Sequence, residues 1–158
     1  MALHEQLRGA LNTAADKLNL DDFRPQQRLA IEAFLHGRDV FVSLPTGFGK
    51  SAIFQAAPFC CNFLRQSDSC IAIVISPLSA LMTDQLEILK SYGVKAATLT
   101  ADTSRPTRTA IINGDFSLVF VSPEAMLSSF GRHLMGRSMY CQNLCGIFVD
   151  ESHCIQKW

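Results

Sequence analysis

The feature that most constrains the fold is the octapeptide LPTGFGKS at 44–51. The apolar run at 40–42 precedes it and predicts a buried strand, and the apolar segment at 53–57 follows it and predicts a helix. A glycine-containing turn between a strand and a helix can direct backbone N–H groups at phosphate, provided that no Cβ obstructs Gly47 and Gly49. The octapeptide therefore predicts a phosphate-binding loop.

Side chains of the loop supply the remaining chemistry of a nucleotide site. Lys50 offers a cation to the β- and γ-phosphates, and the Ser51 hydroxyl can hold Mg²⁺. The positive end of the following helix favours the same anion. The full motif has glycine where this chain has Leu44. The predicted ligands are ATP and Mg²⁺, and the alternative is a glycine turn with a solvated lysine. The residues predicted to bind are Thr46, Gly47, Gly49, Lys50 and Ser51.

Composition excludes several other classes of protein. The 158 residues carry no net charge at pH 7, so a global basic field for nucleic acid is absent and any such binding must use a local face. No apolar run approaches the length of a membrane span, and the first residues lack the apolar core of a signal peptide. Six cysteines without paired ligand spacing predict reduced intracellular thiols rather than a zinc site.

Apolar segments typical of strands alternate along the chain with segments typical of helices, and this alternation predicts an α/β fold. Alternating strands and helices form parallel sheets with helices on both faces. The first 20 residues are expected to be an N-terminal helix, and 21–158 one domain, incomplete at its C-terminus. The predicted strands are 39–43, 71–75, 94–99, 118–121 and 146–149. The predicted helices are 3–18, Pro25 to about Gly37, the phosphate loop to about 65, 78–89, 105–113 and turns within 124–136.

Polar stretches follow four of the predicted strands, at 44–51, 76–79, 122–124 and 150–153. Ligands of open parallel sheets bind at the carboxyl ends of strands, so one shared active edge is expected. Asp150 can hold the Mg²⁺ that Ser51 also holds, and Glu151 can orient the attacking water. His153 is interpreted as a residue that couples hydrolysis to other events rather than as a base. The predicted catalytic residues are Lys50, Asp150, Glu151 and His153.

Several motifs together resemble the RecQ family of DNA helicases, within helicase superfamily 2. The sequence DESHCIQKW at 150–158 resembles its helicase motif, 44–51 its first motif, and FRPQQ at 23–27 the motif that precedes the first strand. The resemblance implies a RecA-like P-loop domain, with Gln27 on the adenine edge and Arg24 beside the nucleotide. It also implies contacts to one DNA strand. The implied contacts are Ser76, Pro77, Leu78, Ser122, Pro123, Glu124 and Trp158.

The chain departs from the family pattern at three positions. Asn19 stands where the family usually has glycine, Gln26 where it often has glycine, and Ser152 where alanine is more usual. Basic side chains form a further set of candidates for contacts to the DNA backbone. These are Lys95, Arg105, Arg108, Arg132, Arg137 and Lys157.

The resemblance implies the ATP-binding portion of a 3′-to-5′ DNA helicase that acts on single strands and duplex junctions. By this resemblance the given sequence ends at Trp158, within the family's aromatic-rich loop and before the second RecA-like domain with its arginine finger. We therefore expect these residues alone not to unwind DNA and to hydrolyse ATP poorly. The alternatives are an inactive nucleotide-binding or regulatory product, and an RNA helicase or duplex translocase. The expected location is the nucleus in a eukaryote and otherwise the cytoplasm.

Overall fold

The computed structural model describes residues 2–45, 47–77 and 79–151, without the side chains at 79 and 81. The described chain forms two compact units, Met1–Cys70 and Ile71–Trp158. The helices are α1 Leu3–Lys17, α2 Pro25–Leu35, α3 Lys50–Arg65, α4 Ser79–Ser91, α5 Arg105–Ile112, α6 Pro123–Leu127, α7 Ser129–Gly136 and α8 Ser138–Asn143. The strands are β1 Ile71–Ile75, β2 Ala96–Leu99, β3 Leu118–Val121 and β4 Leu144–Val149.

Small residues let the helices of the first unit approach closely. Ala10 and Ala14 of α1 are fully buried, as are Ala56 and Cys60 of α3, and these helices pack on each other. The Cys60 thiol donates to the carbonyl of Ala10 at 3.5 Å. None of the helices in the described ranges combines the length and apolarity that a membrane span requires.

The end of α1 explains why Asn19 is tolerated where glycine is usual. Asn19 has a φ of 56° and is left-handed. Its N–H donates to Asp16 at 3.2 Å and the next N–H, of Leu20, donates to Ala15 at 2.9 Å. This pair of bonds is a Schellman motif, which needs a left-handed residue after the helix. Asparagine adopts that conformation more readily than other residues with a Cβ, so the substitution preserves the turn.

The predicted strand at 39–43 is wrong in this structure. Residues 39–45, all described, contain no strand, and the Phe41 side chain is 82% exposed. A strand satisfies its backbone only by pairing with another strand, and the four strands described all lie within the second unit. The described sheet therefore has four strands rather than the five that the apolar pattern predicts.

The sheet of the second unit is parallel throughout, with the order β2-β3-β1-β4. Ile73 lies beside both Val119 and Ile147, and Val119 in turn lies beside Ala97. The predicted strands at 71–75 and 118–121 are confirmed at their bounds. The predicted strand at 94–99 is confirmed as β2, which starts later, at Ala96. The predicted strand at 146–149 is confirmed as β4, which starts earlier, at Leu144. The α/β parallel fold is therefore confirmed.

One face of this sheet carries a cluster of buried apolar side chains. Alternate strand residues such as Ile73 and Val121 are fully buried against Ile111 of α5, Leu134 of α7 and Tyr140 of α8. Helix α8 was not predicted. The Tyr140 hydroxyl donates to the carbonyl of Ile111 at 2.6 Å, which satisfies its one buried polar atom. Burial raises the pKa of this phenol above its ordinary value, so it stays protonated.

Replacing Gly131 by alanine is expected to destabilise the fold. A Cβ at Gly131 of α7 would collide with the backbone carbonyls of Ala125 and Met126, which cannot rotate away. The expected cost is about 1–3 kcal/mol in the free energy of unfolding, measured by urea denaturation. Gly136, on the same helix, is the control because a Cβ there meets nothing within 4 Å. Equal stability of the two variants would contradict the described packing of α6 on α7.

The cysteines are expected to divide by reactivity. Burial raises the pKa of Cys60 to about 12, so little thiolate forms at neutral pH, whereas Cys141 is exposed. Brief iodoacetamide treatment of the native protein at pH 8 should label Cys141 and leave Cys60 unmodified by peptide mass spectrometry. Unfolding in guanidinium should make the extent of labelling equal at Cys60 and Cys141. Labelling of both at one rate in the native protein would show that the α1–α3 core is open.

Candidate functional site

The phosphate loop is a tight turn that leads directly into α3. The N–H of Phe48 donates to the carbonyl of Pro45 at 3.3 Å, and α3 begins at Lys50. Gly47 and Gly49 have φ angles of 87° and 71°, a conformation that side chains rarely adopt. A Cβ on Gly49 would also collide with the Gln27 amide, whereas a Cβ on Gly47 would meet nothing within 4 Å. Glycine is thus favoured at both positions by conformation, and at 49 a Cβ would in addition displace the Gln27 amide.

Gln27 joins the start of α2 to this loop. Its side chain is only 5% exposed, and both of its polar atoms have partners. The Oε1 atom accepts from the backbone N–H of Arg24 at 2.8 Å, which caps α2. The Nε2 atom donates to the carbonyl of Gly49 at 2.8 Å. Each atom keeps one further hydrogen-bonding position, since Nε2 has a second N–H and Oε1 a second lone pair, so Gln27 can contact an adenine with or without exchanging a bond to the protein.

Arg24 contacts the same loop from the exposed side. Its Nη1 donates to the carbonyl of Gly47 at 3.3 Å, and its guanidinium carbon lies 6.0 Å from the centre of the Phe48 ring. The two side chains that the family resemblance assigns to the nucleotide, Arg24 and Gln27, are therefore brought together on the phosphate loop. The role of Phe48 was not predicted, since no local pattern indicates which aromatic ring an arginine 24 residues away will approach.

The turn before α2 is held by charge as well as by backbone bonds. Arg28 donates to both carboxylate oxygens of Asp22, at 2.8 and 2.9 Å. The N–H of Phe23 donates to the same carboxylate at 2.8 Å. The backbone bond, followed by Arg28, lowers the pKa of Asp22, so its charge persists at neutral pH.

The residues around the turn fit a bound phosphate. Lys50 is exposed, Ser51 is half-buried in the first turn of α3, and the space beside Gly47 is open. Helix α3 has 16 residues, and its N-terminal end is electropositive. Thr46 lies outside the described residues.

In the second unit the strand ends form one row. The N–H of Ser122 donates to Leu99 at 3.1 Å, that of Ser76 to Val121 at 3.0 Å, and that of Asp150 to Ile75 at 2.9 Å. Each of these residues comes directly after its strand, and its N–H continues the hydrogen bonding to the neighbouring strand. The strand order therefore places Ser122, Ser76 and Asp150 side by side at the carboxyl edge, as the sequence predicted. The loop at 44–51 follows no strand, so that part of the prediction is wrong.

The acidic end of β4 has an unusual backbone. Glu151 has a φ of 56°, and its N–H donates to the Asp150 carboxylate at 3.1 Å. A left-handed residue with a long side chain is uncommon, and such positions concentrate at functional sites. His153 and Trp158 lie outside the described residues.

The predicted DNA contacts differ in accessibility. Ser76 is 1% exposed, and its hydroxyl has no hydrogen-bond partner within the part of the chain described. The Ser122 hydroxyl accepts from the N–H of Ala125 at 3.2 Å and caps α6. Pro77 is half-buried, Pro123 is buried, Glu124 is exposed, and Leu78 lies outside the described residues.

The basic candidates do not share one face. Lys95 precedes β2, and its carbonyl accepts a hydrogen bond from the N–H of Ser117. Lys95 therefore lies at the amino edge of the sheet, opposite the row of strand ends. Arg108 is bonded to backbone carbonyls. The remaining described candidates, Arg105, Arg132 and Arg137, are exposed, and Lys157 lies outside the described residues.

Known helicases are similar to this chain in sequence. The family pattern described as DEAD/DEAH box helicase matches residues 24–158. The ATP-dependent helicase SGS1 of Saccharomyces cerevisiae is 39% identical over 88% of the chain, and the ATP-dependent DNA helicase RecQ of Haemophilus influenzae is 33% identical over 94%. The chain spans only 10% and 23% of these two relatives.

A solved structure provides a match of fold. The helicase MrfA, crystallised with DNA and AMPPNP, superposes with a TM-score of 0.75 over 94% of this chain and 21% of its own, at 24% identity. The sequence matches bear out the predicted resemblance to RecQ helicases, and the structural match bears out the RecA-like fold.

Removal of the Gln27 amide is expected to loosen the phosphate loop. Gln27→Ala leaves the carbonyl of Gly49 and the N–H of Arg24 without these partners, at a cost of about 1–3 kcal/mol in the free energy of unfolding. Hydrogen exchange should accelerate at residues 48–51. The control is Gln26→Ala, because Gln26 is the exposed neighbour. If both variants behave like the parent, the Gln27–Gly49 bond does not hold the loop.

Proposed function

Because the chain belongs to the DEAD/DEAH box helicase family, we propose that it is the ATP-binding portion of a RecQ-like 3′-to-5′ DNA helicase. The family uses ATP. The chain spans a minor part of its relatives, so strand separation is proposed for a complete helicase core and not for these residues alone. The observation that carries the proposal is the convergence of Arg24 and Gln27 on the carbonyls of Gly47 and Gly49.

ATP would be held by residues of the first unit. Backbone N–H groups at 47–51 and the Lys50 ammonium are suited to the phosphates. Thr46 belongs to the same motif. Gln27 would exchange its bond to Gly49 for the adenine edge, with Arg24 beside the nucleotide. This exchange would release the phosphate loop when the base arrives and so connect base recognition to loop conformation.

Hydrolysis would use the acidic strand end together with the loop. Ser51 and Asp150 are proposed to hold Mg²⁺, which would neutralise charge on the phosphates. Glu151 is proposed to orient the attacking water, and its left-handed backbone supports a specialised position. His153 is proposed to couple hydrolysis to DNA contact. In a complete helicase core, substitution of Glu151 by glutamine should then preserve ATP binding and abolish ATP turnover.

Single-stranded DNA would pass along the carboxyl edge of the sheet. The row of Ser122 and Ser76 supports this path, because successive strand ends lie about 4.8 Å apart. Pro77, Leu78, Pro123, Glu124 and Trp158 are proposed to complete it. Contacts of this kind reach the backbone, so sequence preference should be weak. Junctions with duplex DNA are the proposed substrate, and a nuclear location is proposed for a eukaryotic source.

The first test is binding of a fluorescent ATP analogue with Mg²⁺. Lys50→Ala should weaken binding about 10–100-fold, because it removes a charge-assisted bond of about 1.5–3 kcal/mol. Lys90→Ala, at the exposed end of α4, is the charge-matched control and should bind like the parent. Circular dichroism of each sample checks that it is folded.

The alternative outcomes are informative. Equal binding by the Lys50→Ala variant and the parent would remove the phosphate loop from the proposal. Retained binding with no hydrolysis in the presence of single-stranded DNA would agree with our expectation that these residues alone turn over ATP poorly.

A further inference from the structure

Arg108 contacts the protein through its Nε and Nη2 atoms and through the face of its guanidinium. Its Nε donates to the carbonyl of Thr103 at 3.1 Å, and its Nη2 donates to the carbonyls of Thr100 and Ala101 at 2.9 and 3.5 Å. Its central carbon lies 4.9 Å from the centre of the Phe130 ring, within cation–π range. The side chain is half-buried. These contacts are those of a side chain with a structural role, here called the Arg108 tie, and not of a solvated charge.

The tie joins two walls of an open cavity of about 700 Å³. One wall is the loop after β2, which contributes Thr100 and Asp102, and the other comprises Ser122, Ser128 and Phe130. The loop has internal bonds of its own, including Thr100 N–H to the Thr103 hydroxyl at 2.8 Å. Only Arg108, however, links its carbonyls to the α7 side through the ring of Phe130. Arg108 therefore adds a side-chain link between the two walls to the backbone bond from the Ser122 N–H to the Leu99 carbonyl.

We propose that Arg108 is a positioning residue that braces the loop at 100–104 against α7, and so shapes the cavity through which single-stranded DNA passes. The DNA part of this inference rests on the proposed function, since Ser122 lines the cavity. The alternative role for Arg108, a direct contact to a DNA phosphate, makes different predictions. A phosphate contact needs a positive charge, whereas the brace needs the planar fork that can donate to several carbonyls at once.

The brace is tested first without DNA. In the 158-residue chain, Arg108→Ala and Arg108→Lys should both raise amide hydrogen exchange at 100–104 at least tenfold, because lysine cannot reproduce the fork. Arg105→Ala is the matched control, since Arg105 is an exposed arginine on the same helix. Phe130→Leu removes the ring while keeping an apolar side chain and should raise exchange at the same loop. Unchanged exchange in both Arg108 variants overturns the proposal.

The second test is binding of a fluorescent oligo-dT at several salt concentrations. Both Arg108 variants should bind several-fold more weakly than the parent, with an unchanged slope of log affinity against log salt. If Arg108→Lys binds like the parent while Arg108→Ala lowers the slope by about 0.7, the side chain is a phosphate contact and the proposal fails. If the parent itself binds no oligo-dT, the proposed DNA function fails, and the exchange data alone decide on the brace.

Discussion

The parallel pairing of β1 with both β3 and β4 is the interaction on which the described second unit depends. It aligns Ile75 with Val121 and with Val149, so three strands end in one row. Each following N–H then bonds to the neighbouring strand, which fixes where Ser76, Ser122 and Asp150 leave the sheet. The backbone pairing thus positions the predicted functional residues before any side chain contributes.

Buried polar groups impose a second constraint, because each needs a partner within the protein. Gln27 satisfies its amide by joining the start of α2 to the carbonyl of Gly49. Arg108 similarly satisfies carbonyls of the loop after β2. In both cases a side chain from a neighbouring helix holds a loop in addition to the bonds that the loop makes within itself. Loop conformation in this protein is therefore coupled to single side chains, and changes at those side chains can be transmitted to a ligand.

Much of the fold follows from local pattern. The continuous apolar run at 71–75 and the turn-forming pair after it predict a strand and its end, and the structure agrees. Pro25 predicts the start of α2, and Gly37, left-handed at 81°, marks the turn that ends it. These features are predictable because their physical causes act within a few residues. Asn19 shows the same principle, since its left-handed turn lies beside the helix that it ends.

The sequence by itself determined most of the described segments that form helices and strands, and that glycine is needed at 47 and 49. Only the tertiary structure decided that 39–43 forms no strand, because a strand exists only where a partner pairs with it. Tertiary contacts also decided that Gln27 bonds to Gly49 and that Arg108 lies against Phe130. These partners are 22 residues apart in each pair. Local propensity carries no information over that distance, since the pairing depends on how whole elements pack.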